Sequence, residues 1–317
     1  MNMQDKINEI SQKLGLPIKK IYDIFYYLRD GSKVDNFELI RKTGIAKNTI
    51  NSVKEYFKGV FGSVLATTQV DQGVASQLDN IFKEDYLPDE SLLNLSINSD
   101  LQDIFSERVT PLRQYDQFTA TPETVLKRAS LLKHFRDIEN KKILFLGDDD
   151  FTSISVARRG KPAEIVVLDI DDRILDKIKS ISNKLSLNIQ TIKHDLKKTL
   201  PKEFLNRFDI VFTDPPYTPE GIRLFLSRSI SSLSRNNMAA RIYLCYGNSD
   251  RAKERFLPIY RSIIDSGLML RYIFDKFNRY FGAESIGSSS SMFILDVTPK
   301  VKTIIKGDYD NPIYTDN

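Results

Sequence analysis

The sequence predicts an α/β protein whose larger domain is a doubly wound, mostly parallel sheet. From about residue 110 onward, near-continuous apolar segments alternate with amphipathic ones. Short apolar runs of this kind are typical of strands buried on both faces, and the segments between them have helical periodicity. The last apolar segment follows a loop instead of a helix, which indicates an antiparallel final strand.

Seven apolar segments are the predicted strands. In chain order they read KILFLG, EIVVLDID, IQTIKHD, FDIVFTDPPY, ARIYLCYG, LRYIFDKF and MFILDV. The helix before the first strand has Thr121 as its predicted N-cap and Pro122 as its first residue, and both residue types are favoured there. Later helices are predicted to begin at Thr152, Asp172, Pro219 and Asp250. This order describes a Rossmann-like, class I methyltransferase-like domain over residues 111–317, with ligands at the carboxyl ends of the strands.

The first 64 residues are predicted to form a small helical domain with a helix-turn-helix. In NFELIRKTGIAKNTINSVKEYF, two helical patterns flank a tight turn at Thr43–Gly44. Residues 65–110 have a weaker pattern and are the predicted connector. Basic residues such as Arg41 and Lys54 are spaced as on any solvated helical face, so a structural or dimerisation role is favoured over DNA binding.

Composition and charge exclude several classes of protein. No apolar stretch approaches the roughly 18 residues that span a bilayer. The start MNMQDKINEISQKLG is polar, unlike a signal peptide, so a cytoplasmic location is expected. The single Cys245 excludes an intramolecular disulfide, and two histidines argue against a metal site. A net charge of +4 is too small to indicate a nucleic-acid ligand by itself.

Acidic residues follow four consecutive predicted strands. They are Asp148, Asp149 and Asp150, then Asp169 and Asp171, then Asp195, then Asp214. Because the carboxyl ends of parallel strands share one edge of a sheet, an acidic cleft is predicted there. A single Asp at such a junction is commonly an N-cap, and capping stays open for Asp150 and Asp172. Four strands in succession favour a functional cleft.

The strand ends suggest two binding roles. Asp169, which ends the second strand, is positioned for both ribose hydroxyls of a nucleoside, and Asp195 for an adenine amino group. TDPPY then begins an extended turn at Asp214, with the ring of Tyr217 beside it. This string resembles the Asp/Asn-Pro-Pro-aromatic motif with which amino-group methyltransferases hold a target nitrogen. A turn that merely ends the strand is the alternative.

Three consecutive acids stand in the loop after Gly147, where nucleotide-binding loops commonly have further glycines. Two like charges about 4 Å apart repel by roughly 1 kcal/mol in water and roughly 4 kcal/mol near a protein surface. The acids therefore disfavour the methionine carboxylate of S-adenosylmethionine. They favour the bare ammonium of decarboxylated S-adenosylmethionine and, for the same reason, a linear polyamine acceptor.

With these motifs, the chain resembles the N4-bis(aminopropyl)spermidine synthases, the branched-chain polyamine synthases of thermophilic archaea and bacteria. The resemblance covers about residues 105–230 and includes YDQFTATPET, ILFLGDDDFTS, EIVVLDIDDRIL and FDIVFTDPPYTPEGIRLFLSR. It implies transfer of aminopropyl groups from decarboxylated S-adenosylmethionine to the central amine of spermidine. The products are N4-aminopropylspermidine and N4-bis(aminopropyl)spermidine, with methylthioadenosine released each time. The resemblance also implies a winged-helix-like N-terminal domain, which matches the helix-turn-helix predicted over residues 1–64. No permanently bound cofactor is implied.

The resemblance and the residue pattern together assign the predicted site. The general base is Asp149, with Asp214 orienting the amine and sharing its proton. The predicted nucleoside and donor contacts are Gln117, Gly147, Asp148, Asp169 and Asp195. The predicted polyamine contacts are Tyr115, Asp150, Tyr217 and Glu220, and Asp148 and Asp150 are expected to bind ammonium groups.

Two other functions remain open at this stage. An S-adenosylmethionine-dependent amino methyltransferase of the N6-adenine type, acting on nucleic acid, predicts a basic groove beside the pocket. A DNA-binding regulator that senses a polyamine or nucleoside needs no base. A homodimer without a nucleic-acid ligand is expected. The tail GDYDNPIYTDN is expected either to be a disordered end or to reach the cleft of a neighbouring subunit.

Overall fold

The computed structural model describes residues 3–43, 45, 47–58, 60–64, 67–82, 86, 102–248, 252–281, 283 and 288–315. The chain divides into two units. One is Met1–Asn94 with His134–Arg136, and the other is Leu95–Lys133 with Asp137–Asn317.

The first unit is a small helical domain with a three-stranded sheet. Its helices are α1 (Met3–Leu14), α2 (Ile18–Tyr26), α3 (Asn36–Thr43), α4 (Lys47–Tyr56) and α5 (Gln72–Ile81). Its antiparallel strands are β1 (Val34–Asp35), β2 (Phe61–Val64) and β3 (Thr67–Val70), in the order β1-β3-β2. Ile21, Ile24 and Phe25 of α2 are fully buried in its core, because they recur on one helical face.

This unit extends past the predicted boundary at residue 64. Strand β3 pairs with β2 in a hairpin, and helix α5 begins where Asp71 accepts a hydrogen bond from the backbone N–H of Gly73 at 2.8 Å. Part of the predicted connector over 65–110 therefore has regular structure, while residues 83–85 and 87–101 lie outside the described residues. The winged-helix description of this unit remains a prediction.

The second unit contains the predicted seven-stranded sheet. Its strands are β4 (Lys142–Leu146), β5 (Glu164–Asp169), β6 (Ile189–Lys193), β7 (Ile210–Thr213), β8 (Arg241–Tyr246), β9 (Met269–Arg279) and β10 (Ser289–Asp296). Their order is β6-β5-β4-β7-β8-β10-β9, and the first five along the chain are parallel. The final strand is antiparallel, as predicted, and lies between β8 and β9. The predicted α/β fold class of this unit is confirmed.

The helices of this unit are α6 (Gln102–Phe105), α7 (Pro122–His134), α8 (Thr152–Arg159), α9 (Asp172–Lys184), α10 (Pro219–Ser232) and α11 (Leu257–Asp265). Four of the predicted starts are confirmed, at Pro122, Thr152, Asp172 and Pro219. The predicted start at Asp250 lies outside the described residues, and a short 3-10 turn at Lys253–Phe256 leads into α11. Within the part of the chain that the structure describes, no helix combines the length and apolarity needed to cross a membrane.

Candidate active site

Two cavities open at the carboxyl edge of the parallel strands. The first, with an open volume of about 610 Å³, lies beyond the ends of β4, β5, β6 and β7. Its acidic lining residues are Asp116, Asp149, Asp169, Asp195 and Asp214. The second, of about 870 Å³, lies beside the Pro-Pro turn and the end of β9.

The two cavities meet at three carboxylates, since Asp116, Asp149 and Asp214 line both. Among the described lining residues, the first cavity has no lysine or arginine, and the second has Arg255 at an exposed position. The predicted acidic cleft is therefore present. Its charge favours cationic ligands and disfavours polyanions.

Asp149 lies at the junction of the cavities. Among the described residues, its carboxylate has no hydrogen-bond or ion-pair partner. Burial, and then the charges of Asp150 and Asp214, raise the pKa of the Asp149 carboxyl well above its ordinary value. A half-buried carboxylate with a raised pKa and free oxygens can accept a proton from a bound amine.

Asp214, at the other side of this junction, is held by three hydrogen bonds. Its Oδ1 accepts from the Tyr217 hydroxyl at 2.9 Å. Its Oδ2 accepts from Arg128 Nη2 and from the Tyr280 hydroxyl, both at 2.7 Å. Burial raises the pKa of Asp214, and the Arg128 guanidinium opposes that increase. Asp214 is thus a fixed acceptor, whereas Asp149 is unconstrained.

The Pro215–Pro216 turn that carries Asp214 is braced by α10. Thr218 caps this helix by accepting a hydrogen bond from the Gly221 N–H at 2.9 Å. A Cβ atom on Gly221 would lie 2.6 Å from the Pro216 carbonyl oxygen. The glycine is therefore required for close approach of the helix to the turn.

Substituting Gly221 with alanine is expected to lower the free energy of unfolding by about 1–3 kcal/mol, as overpacking does. Thermal unfolding of the variant measures this loss. Gly73→Ala is the matched control, because its Cβ would approach only the side-chain oxygen of Asp71, at 3.2 Å. Equal stability of Gly221→Ala and wild type would show that the turn can move without cost.

Arg128 lies at this candidate site and was not predicted there from the sequence. It lies on α7, is 1% exposed, and donates from Nη1 to Asp150 and from Nε to Asn278, both at 2.8 Å. Its Nη2 is the group bound to Asp214. Helical periodicity could have indicated that Arg128 is buried, because it is three residues after Val125 and shares the buried face of α7.

Asp148 and Asp150 are not positioned as the sequence analysis expects. Asp148 caps α8 by accepting from the backbone N–H groups of Thr152 and Ser153, at 2.8 and 3.0 Å. Asp150 accepts from the Ala120 N–H at 2.6 Å and pairs with Arg128. Neither residue lines either cavity, so the expected contacts of these two carboxylates with ammonium groups do not fit the structure.

Three predicted donor contacts lie together at the first cavity. Asp169 accepts from the Asp171 and Asp148 N–H groups, at 2.9 and 3.2 Å, and burial raises its pKa to about 6. Gly147 lines the cavity beside it with φ of +73°, a conformation that glycine tolerates. Gln117 also lines it, and its Nε2 donates to Asp171 at 3.2 Å.

The remaining predicted residues divide between the cavity walls and the surroundings. Asp195 and Tyr115 line the first cavity, and Tyr217 lines the second. Glu220 is half-buried in the first turn of α10 and lines neither cavity. His194 lines the first cavity without having been predicted there, and burial lowers its pKa, so the imidazole is neutral near pH 7.

The C-terminal segment, residues 305–315, contributes to both cavities of its own chain. Ile313 and Tyr314 line the first, and Thr315 lines the second. The Ile313 carbonyl accepts from the Thr218 hydroxyl at 2.7 Å, and Asp116 accepts from the Thr315 N–H at 2.9 Å. Neither expectation for the tail, a disordered end or a reach into a neighbouring subunit, describes these residues.

Comparison with known proteins identifies several proteins of similar sequence. The chain is 42% identical over 200 residues to an uncharacterized protein of Methanocaldococcus jannaschii, which covers 63% of this chain and 49% of that protein. It is 36% identical over 181 residues to the N(4)-bis(aminopropyl)spermidine synthase of the same organism, covering 56% and 51%. The synthase of that name from Thermococcus kodakarensis is 35% identical over the same length and coverage. The matches thus span about half the length of these curated relatives.

Among solved structures, the branched-chain polyamine synthase from Thermus thermophilus in complex with N4-aminopropylspermidine and 5′-methylthioadenosine has the same fold. The TM-score is 0.62 at 19% identity, covering 100% of this chain and 98% of that one. The sequence model of the branched-chain polyamine synthase A C-terminal domain matches residues 96–313. The chain therefore belongs to this family.

Proposed function

We propose that this chain is an aminopropyltransferase that modifies the central amine of spermidine with decarboxylated S-adenosylmethionine as donor. The products are N4-aminopropylspermidine and then N4-bis(aminopropyl)spermidine. The observation that carries the proposal is the junction of two cavities at Asp149 and Asp214, with an acidic lining on the first. The names of the relatives and the ligands of the Thermus thermophilus structure support it.

The donor occupies the first cavity in this proposal. Asp169 accepts hydrogen bonds from the ribose hydroxyls, and Asp195 accepts one from the adenine amino group. Gly147 allows close approach of the backbone, while Tyr115 and Gln117 cover the nucleoside. The propyl ammonium of the donor lies near the acids shared by both cavities.

The acceptor occupies the second cavity, with its central nitrogen at the junction. Asp214 is fixed by its three hydrogen bonds and orients that nitrogen. The ring of Tyr217 supplies a cation–π contact to a neighbouring ammonium group. Asp148 and Asp150 stabilise this arrangement without contacting the acceptor. Asp148 caps α8, and Asp150 pairs with Arg128.

The reaction is a displacement at the propyl carbon bonded to sulfur. The amine nitrogen forms a bond to this carbon while the carbon–sulfur bond breaks, and its electrons stay on sulfur as the neutral thioether methylthioadenosine. In the first transfer the secondary amine loses its proton to Asp149. In the second transfer the nucleophile is a neutral tertiary amine, so the product is a quaternary ammonium and no proton leaves the nitrogen.

The acidic lining also bears on the methyltransferase alternative. S-adenosylmethionine carries a carboxylate that the shared acids repel, and a nucleic-acid acceptor is a polyanion. A basic groove, which that alternative requires, is not found among the described residues that line the first cavity. The observations therefore favour aminopropyl transfer to a polyamine.

We also propose a cytoplasmic homodimer that uses no metal ion and binds no nucleic acid. The edge strand β9 supports association, because Met269 and Ile273 on it are 41% and 45% exposed. Light scattering on the purified protein is expected to give twice the mass of 36.4 kDa. A monomer at all concentrations would contradict the dimer without affecting the proposed reaction.

Mass spectrometry of the reaction products tests the proposed function. With spermidine and decarboxylated S-adenosylmethionine, we expect products with one and then two added aminopropyl groups, and methylthioadenosine in equal amount to the groups transferred. S-adenosylmethionine in place of the decarboxylated donor is expected to give no methylated amine. Methylation, or no product from the decarboxylated donor, would contradict the proposal.

A further inference from the structure

One guanidinium, that of Arg128, binds two carboxylates from different parts of the fold. Its Nη1 lies 2.8 Å from Asp150, in the loop after β4, and its Nη2 lies 2.7 Å from Asp214, in the turn after β7. Its Nε donates to Asn278 of β9 at 2.8 Å. Arg128 is 1% exposed, so these contacts replace water almost completely. The two ion pairs of Arg128 therefore lie in a low-dielectric environment, where each charge strongly affects its neighbours.

The surroundings of Arg128 contain more negative than positive charge. Among the described residues, the titratable and charged groups that surround this cluster are Asp148, Asp149, Asp150, Asp214, Tyr217, Cys245, Tyr280 and Arg108. The tyrosines and the cysteine are neutral, because burial raises the pKa of each of them. Two carboxylates, Asp150 and Asp214, therefore share the charge of Arg128, while Arg108 donates to the Asp150 carbonyl.

The contacts give Asp149 and Asp214 different roles. Asp214 is hydrogen-bonded to a cation and two hydroxyls, all of which favour its ionised form. Asp149 has no such partner among the described residues. A proton released at the cavity junction is therefore accepted more readily by Asp149.

We propose that Arg128 is a positioning residue of the reaction: it keeps Asp214 anionic and directed at the acceptor nitrogen, and so leaves Asp149 to take the proton. This inference rests on the proposed function, since it needs a cationic acceptor in the second cavity. Arg128 itself acts through Asp214 and touches neither substrate.

The pH dependence of spermidine binding without donor tests this role. Aliphatic amines stay protonated below about pH 8, so calorimetry between about pH 4 and 8 reports the ionisation of the protein alone. In Arg128→Gln, loss of the cation is expected to move the midpoint of binding about one to three units toward higher pH. In Asp150→Asn, loss of a competing negative charge is expected to move the midpoint toward lower pH. A purely structural role for Arg128 does not produce shifts of opposite sign.

Two further measurements keep the test decisive. Arg128→Lys retains the charge but cannot bind two carboxylates as a fork, so its midpoint is expected near that of wild type with weaker spermidine binding. Methylthioadenosine binding by each variant reports folding, and if Arg128→Gln does not fold, Asp150→Asn must still lower the midpoint. An unchanged midpoint in Arg128→Gln, or a shift of Asp150→Asn to higher pH, would overturn the inference. A wild-type protein that binds no spermidine would instead refute the proposed function.

Discussion

Replacing Asp149 with asparagine is expected to lower the rate of the first aminopropyl transfer about 100- to 10,000-fold near neutral pH, the usual contribution of a general base. The carboxylate lines both cavities and accepts no hydrogen bond from the residues that the structure describes, so it is positioned to take the proton of the secondary amine. Asparagine preserves the shape of the side chain but cannot accept that proton. Single-turnover kinetics with spermidine and the decarboxylated donor measure the loss.

The loss is also expected to shrink as the pH rises toward the pKa of the amine. Alkaline solution supplies neutral amine without a protein base, so the variant gains more from high pH than the wild type does. Methylthioadenosine binding should be largely retained, because the ribose contact is assigned to Asp169. Asp172→Asn, a change of the same kind at an exposed residue paired with Lys193, is the control. Full activity of Asp149→Asn at neutral pH would remove this residue from the mechanism.

The position of the site could be predicted because it depends on strand ends. Buried parallel strands are recognisable as apolar runs, and their carboxyl ends must share one edge of the sheet. Asp169, Asp195 and Asp214 therefore lie at the cavities, as their places in the sequence indicate. No assumption about side-chain direction was needed for them.

Which of the three acids in the GDDD loop face the cavities could not be predicted in this way, because consecutive side chains in a turn point in different directions. Gly147 and Phe151 both have positive φ, at +73° and +61°, and the backbone between them changes direction sharply. Asp148 consequently faces the start of α8, Asp150 faces Arg128, and Asp149 alone of the three lines the cavities. Three consecutive aspartates in the sequence give no indication of which side chain lines the cavities.

Long-range contacts account for the other residues that were missed. Arg128 and Tyr280 are 152 positions apart in sequence and meet at Asp214 only after β9 has joined the sheet. The C-terminal segment has neither strand nor helix periodicity over its described residues, and its path depends on contacts such as Thr218 with Ile313. The local sequence pattern predicts helices and strands, whereas the positions of Arg128, Tyr280 and the C-terminal segment depend on packing between them.

Substituting Asp169 with asparagine is expected to weaken methylthioadenosine binding about 10- to 100-fold at pH 8, which corresponds to hydrogen bonds between a charged acceptor and the ribose hydroxyls. Titration calorimetry measures the affinity. Asp176→Asn, an exposed substitution on the helix that follows the same strand, is the control and should bind as wild type does. Unchanged affinity in Asp169→Asn would contradict the ribose assignment.

The pH dependence gives this assignment a second, independent test. Burial raises the pKa of Asp169 to about 6, from an ordinary value of 3.8. Methylthioadenosine has no positive amine to titrate, so wild-type affinity should fall as the pH decreases through about 6, and this dependence should be weaker in Asp169→Asn. The raised pKa also means that ionised Asp169 destabilises the folded chain at neutral pH, and that this cost disappears as the pH falls below 3.8. Asp169 lines the cavity although its ionised form destabilises the fold. Binding of the ribose hydroxyls is the best explanation for a carboxylate at this position.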